Sequence, residues 1–96
     1  MKLIALYKEP PDPAAFEKAY FNTHLPLIAK VPGLRRTAIT RIRRTLVGDG
    51  YSLMAEMYFQ DDEVFKAAMK SPEMEAAGDN LNSFADGLVT MMFGAE

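Results

Sequence analysis

Residues 53–59, Leu-Met-Ala-Glu-Met-Tyr-Phe, constrain this chain more than any other stretch. Read as a strand, one side carries Leu53, Ala55, Met57 and Phe59, and the other carries Met54 and Tyr58 around Glu56. Successive strand side chains point to opposite faces, so a sheet with one wet face alternates apolar and polar residues. This segment is apolar on both sides and needs cover on both. The last apolar run repeats the pattern, with Val89, Met91 and Phe93 against Leu88 and Met92. A chain of 96 residues has the length of one small domain. Such a domain buries only roughly 60–65% of the surface its unfolded chain exposes. Helices of the same chain can cover one face, and a second copy is the economical cover for the other.

Prolines and glycines divide the rest. Lys2–Lys8 is a short apolar run, stopped by Glu9-Pro10-Pro11-Asp12-Pro13 because proline has no N–H for a ladder. Asp12-Pro13 starts a helix, a carboxylate for the orphan N–H groups followed by a ring preset at helical φ. Phe16, Tyr20, His24, Leu27, Ile28 and Val31 recur at three- and four-residue spacing, the stripe of an amphipathic helix. Pro26 predicts a kink or break between about Asn22 and Leu25, and Pro32-Gly33 ends the element. Leu34–Val47 reads as a second strand, Gly48-Asp49-Gly50 as a turn, and Tyr51–Phe59 as the antiparallel return. Asp61-Asp62-Glu63 opens a second helix, Ser71-Pro72-Glu73 restarts it, and it runs to about Asn80. Gly87–Phe93 is a final strand. The order is β-α-β-β-α-β, an α+β, ferredoxin-like single domain over residues 1–96: one four-stranded antiparallel sheet with two helices on one face.

Composition narrows the chemistry. Apolar residues at 49% and charged residues at 25% describe an ordinary globular chain. With no cysteine there are no disulfides, thiolate metal sites or thiol nucleophiles, and one histidine cannot build a multi-histidine metal site. No apolar run approaches the roughly 20 residues of a membrane span, and the start is too short in its apolar core for a signal peptide. A cytoplasmic protein without membrane partners is the expectation. Charge is lopsided: residues 1–48 hold nine Lys/Arg against three Asp/Glu, and residues 49–96 hold two against ten. All five arginines lie between Arg35 and Arg44, with no aromatic residue among them for base stacking. Pairing with the acidic half, within or between chains, is the expected use, not nucleic acid.

Few side chains can carry chemistry. His24 is the one group whose ordinary pKa lies near neutrality, so it can move a proton there; equally, it can bond a carbonyl freed by Pro26. Tyr20, four residues earlier on the same stripe, can hold a ligand oxygen or be plain core. Phe16, Leu27 and Phe84 can line an apolar pocket or simply pack. Glu56 is polar in an apolar strand and needs a partner. It can act as acid or base, orient the histidine, or pair with an arginine of the second strand. Tyr58 lies beside it. Arg35 and Arg36 can grip a ligand carboxylate or pair across an interface. Seven methionines are adaptable filler, not metal ligands. No phosphate loop, paired-carboxylate signature or metal-ligand cluster is present, and no cofactor is expected. Any reaction is then a proton transfer, an enolate stabilisation, or oxidation of a substrate that itself activates oxygen.

Taken together, the motifs resemble the EthD family, named for ethyl tert-butyl ether degradation, in the dimeric α/β-barrel group. Those motifs are Pro11-Asp12-x-x-x-Phe16-x-x-x-Tyr20, His24-x-Pro26-Leu27, Pro32-Gly33-Leu34-Arg35-Arg36, Glu56-Met57-Tyr58-Phe59, Ser71-Pro72-Glu73, Asp79, Phe84-Ala85 and Gly87. Met74 departs from the pattern, standing where a smaller residue is expected. The resemblance implies a homodimer whose sheets form a barrel, with a pocket between sheet and helices in each subunit. It leaves isomerase, decarboxylase or cyclase, and cofactor-free monooxygenase chemistry open. The expected function is binding or converting a small apolar, cyclic or phenolic, metabolite in a degradative or secondary-metabolic pathway. His24 and Tyr20 would be catalytic, and Phe16, Leu27, Arg35, Glu56, Tyr58 and Phe84 ligand-binding. The alternative is a non-catalytic binding or accessory protein of an oxygenase system, or a structural dimer whose pocket is filled by side chains.

Overall fold

A computed structural model describes residues 1–96. Strand β1 (Lys2–Tyr7) stops short of the prolines, and Asp12 caps helix α1 (Pro13–Ala19) by accepting the Ala15 N–H at 3.2 Å. The interruption predicted before Pro26 takes the form of a wide turn. Residues Tyr20–His24 form a π-helical turn, closed by the Leu25 N–H donating to the Tyr20 carbonyl, and the chain continues as α2 (Leu25–Ile28). In a regular α-helix the Pro26 ring would strike the carbonyl four residues back; a five-residue turn shifts that carbonyl aside and interrupts the regular α-helix there. Tyr20 and His24 are both buried as a result.

Strand β2 (Leu34–Arg41) ends six residues before the predicted Val47. Its partner β3 (Leu53–Phe59) begins opposite Arg41, and just ahead of it the Ser52 N–H turns inward to the Tyr7 carbonyl at 2.7 Å. After one more bond, Ile42 N–H to the Ser52 carbonyl, no neighbouring strand remains to cover an extension. Leu46 and Val47 are accordingly 79% and 92% exposed. At the other end of β2 the register slips between Leu34↔Phe59 and Arg36↔Tyr58, leaving Arg35 as a bulge. Gly33 before it has φ of +81°, and a Cβ there would collide with the Val64 side chain, so any other residue is strained.

Helix α3 (Asp62–Met69) is capped by Asp61, whose Oδ1 accepts the Val64 N–H at 2.9 Å. Ser71 joins it to α4 (Pro72–Ala85): its hydroxyl donates to the Ala68 carbonyl and accepts the Met74 N–H. The helix passes the predicted end at Asn80 because Ala77, Leu81 and Ala85 continue one buried stripe. Strand β4 (Val89–Gly94) completes an antiparallel sheet ordered β2-β3-β1-β4, the ferredoxin-like arrangement. All helices lie on one face. Leu3, Ala5 and Tyr7 of β1, with Leu53, Ala55, Met57 and Phe59 of β3, are buried beneath them. On the opposite face Ile4, Leu6, Met54 and Ala38 remain only half-buried, and Met92 is exposed.

Candidate functional site

The wide turn delivers Tyr20 and His24 to an aromatic array between helices and sheet. Tyr20 stacks on Phe16 (centroids 5.8 Å, planes 9° apart) and meets Tyr7 edge-on at 5.3 Å. The His24 ring lies 5.4 Å from Tyr20 and 5.9 Å from Phe84, and Phe84 in turn is 5.6 Å from Phe16. His24 is 4% exposed. Its Nδ1 is 3.1 Å from Asn80 Oδ1. An amide oxygen only accepts, so the neutral imidazole carries its proton on Nδ1 and leaves the Nε2 lone pair free. Burial lowers the His24 pKa, and the Asn80 bond offsets part of that. Neutral His24 is therefore the resting state above its lowered pKa. Burial also pushes Tyr20 up to about 12 and Tyr7 further still, so both phenols keep their protons.

Beside this array lies a cavity of about 50 Å³. Its polar wall is His24, Tyr20, Tyr7 and Thr37; the remainder is aliphatic or thioether, including Leu3, Met74 and Met91. Across Leu3, Met74 and Met91 it adjoins an outer cleft of about 390 Å³ whose lining is wholly apolar, adding Met69, Met92 and Phe93. The inner space holds one or two waters but no organic ligand. No group of three or more His, Cys, Asp or Glu side chains is placed to hold a metal ion.

Of the sequence candidates, His24, Tyr20, Phe16 and Phe84 come together. Leu27 packs against the core without lining the cavity. Glu56 and Tyr58 point to the other face of the sheet, away from His24, since their neighbours Ala55 and Met57 face the helices. Glu56 takes Lys2 of β1 as its partner at 2.7 Å, not an arginine of β2, and accepts the Tyr58 hydroxyl at 3.1 Å. The β2 residue paired with Glu56 is Ala38, which carries no charge, while Arg36 pairs with Tyr58 and lies over its ring, 3.8 Å from the centroid. Arg35, Arg36 and Tyr58 line a separate hollow of about 170 Å³ with Glu96. Three polar residues of the site escape sequence reasoning: Tyr7 and Thr37 on the cavity wall, and Asn80 behind His24. Asn80 gives a signal in retrospect, a polar side chain one position before Leu81 on a helix that would otherwise gain from a better helix former. Tyr7 and Thr37 give none, because strand pairing places them.

Residues 8–88 match the EthD domain. The chain belongs to the EthD family. It is similar to the crystal structure of an EthD-family protein from Bacillus halodurans, with 47% identity, a TM-score of 0.92, and coverage of 99% of this chain and 96% of that one. It is also 34% identical, over 96% of its length and 90% of the relative's, to an uncharacterised 11.0 kDa protein from the thcB–thcC intergenic region of Rhodococcus erythropolis. More distant structures share the fold. A dimeric ferredoxin-like protein of unknown function from Thermobifida fusca has 18% identity and a TM-score of 0.66, over 95% of this chain and 87% of that one. SnoaB, a cofactor-independent oxygenase from Streptomyces nogalater, has 21% identity and a TM-score of 0.64, over 99% and 91%. No helix of the EthD-family chain is long and apolar enough to cross a membrane.

Proposed function

We propose that this EthD-family protein is a homodimer that binds a small apolar, cyclic or phenolic, metabolite between helices and sheet, with His24 as its proton-handling group. One observation carries the reading: a buried, neutral imidazole anchored through Nδ1 by Asn80, with its other nitrogen free, on the polar wall of a cavity that is otherwise aliphatic or thioether. Such a nitrogen takes a proton from an acidic C–H or O–H, and burial keeps it unprotonated and so available as a base. The Tyr20 phenol, protonated at every physiological pH, donates a hydrogen bond to the oxyanion that forms. The proton then returns from Nε2 to carbon or oxygen, which closes the cycle without a cofactor. Both the Thermobifida fusca protein, as a dimer, and SnoaB, as a cofactor-independent oxygenase, lend support at the level of the fold. The half-buried apolar residues of the open sheet face supply the contact between copies.

Native mass spectrometry of purified protein, with His24→Gln alongside, tests this reading. Any co-purifying small molecule is identified and incubated with each protein in heavy water. Deuterium uptake or conversion that needs His24 supports a catalytic base. Binding without uptake in either protein supports a carrier that shares the cavity. Equal uptake in both overturns the role of His24.

A further inference from the structure

The outer cleft and the His24 cavity share three lining residues, Leu3, Met74 and Met91, which stand between them. Leu3 is a buried strand residue in the core. The other two are unbranched thioethers, Met74 half-buried and Met91 47% exposed. Methionine has three rotatable bonds and repacks at low cost. A second feature lies beside them. Gly78 is inside α4, four residues after Met74, where glycine costs about 0.5–1 kcal/mol relative to alanine. No steric reason explains it, since a Cβ at Gly78 would meet nothing within 4 Å. Helical side chains lean toward the preceding turn, so a side chain at 78 would lie over Met74. Its absence leaves vacant space into which Met74 can swing, and Gly78 itself lines the inner cavity.

We infer that Met74 and Met91 form a gate between cleft and cavity, and that Gly78 provides the room for Met74 to open it. This deepens the proposed function and rests on its assignment of His24. With the gate open, the two spaces give a site of roughly 400 Å³, within the range of small-molecule pockets. The site is polarised. Every side chain of the outer cleft is apolar, and the polar groups His24, Tyr20, Tyr7 and Thr37 sit only at the inner end. A fitting ligand has an apolar body and a single hydroxyl or carbonyl at its leading end, which enters first and meets His24. Met74 therefore sets both access and ligand length.

The chain has one histidine, so its imidazole NMR signals report on the inner cavity without assignment ambiguity. The probe is 2-naphthol, an apolar two-ring body with one hydroxyl, titrated into full-length wild type, Met74→Ala and Gly78→Leu, each with its fold checked by its amide spectrum. In wild type the His24 signals are expected to move saturably. Met74→Ala lowers the apparent Kd read at His24 at least threefold, and Gly78→Leu, which crowds Met74 shut, raises it at least tenfold. If all three proteins respond alike, the gate is overturned while His24 keeps its ligand site. If His24 stays unmoved even in Met74→Ala, while the methionine methyl signals of the cleft shift, the probe stops outside and the His24 assignment falls with the gate.

Discussion

The two faces of one sheet use alternate residues of the same strands in different ways. Under the helices, Tyr7, Phe59 and their neighbours are sealed at 1% exposure in an aromatic and aliphatic core. The opposite face carries a polar strip, Lys2 to Glu56 to Tyr58 with Arg36 over the ring, flanked by Ile4, Leu6 and Met54. The covered face gains from shape, because the helices bring fitted partners in the same chain. The open face is stable in water before it meets anything, because its charges are already satisfied by each other. That is the expected construction for a surface that folds first and pairs afterwards. Strand β4 belongs to both regimes: Phe93 lies 4.9 Å from Phe65 on the helix side yet remains 65% exposed.

Breaking each face separately tests this contrast. Phe59→Ala should have the largest effect, about 3–5 kcal/mol of unfolding free energy at any protein concentration, because a sealed ring is removed. Denaturant titration measures it. If the chain pairs through the open face as proposed, Met54→Lys should leave it folded and halve the solution mass from the dimer's about 21 kDa, twice the 10.7 kDa chain. Light scattering decides, and either unfolding as deep as that of Phe59→Ala or an intact dimer would erase the distinction between the faces.

Acid should separate the faces in sequence. His24 has a folded pKa below its unfolded value of about 6.5. The unfolded chain then binds the extra proton, so stability is full above that value and declines as pH falls through it toward the folded pKa. Glu56 is lowered by its hydrogen bond to Lys2, so its contribution persists to lower pH and fades only below about 4.5. Denaturation between pH 7.5 and 3.5 should show two losses, the first absent in His24→Phe and the second, smaller one reduced in Glu56→Gln, where the Glu17–Arg41 pair still contributes. A single loss common to both variants would mean that the faces are electrostatically coupled. The smallest effect is a gain: Gly78→Ala should stabilise the chain by about 0.5–1 kcal/mol, since the added methyl meets nothing and the helix loses a flexible residue. Thermal unfolding measures it.

Strand order, helix starts and the two-sided apolar strands were legible because each rests on local chemistry. Asp12, Asp61 and Ser71 cap the helices that they were expected to cap. A proline ends a ladder wherever it stands, and the alternation of residues 53–59 follows from strand geometry alone. His24 and Tyr20 were legible as neighbours on one stripe for the same reason. What lies beyond the stripe was not. The form that the interruption before Pro26 takes depends on what the displaced turn can pack against, and here the Tyr7 and Phe84 rings receive Tyr20 and His24. The end of β2 depends on where its neighbour turns away, and the partner of Glu56 on the pairing that sets Ala38 beside it and brings Lys2 of β1 within reach. Asn80 reaches His24 from 56 residues away along the chain. The sequence by itself determined the elements, their order and the need for cover on both faces of the sheet, because these follow from period, caps and breakers. Only the tertiary structure decided which polar groups meet, because a hydrogen bond requires two side chains within about 3 Å and no local rule sets that distance.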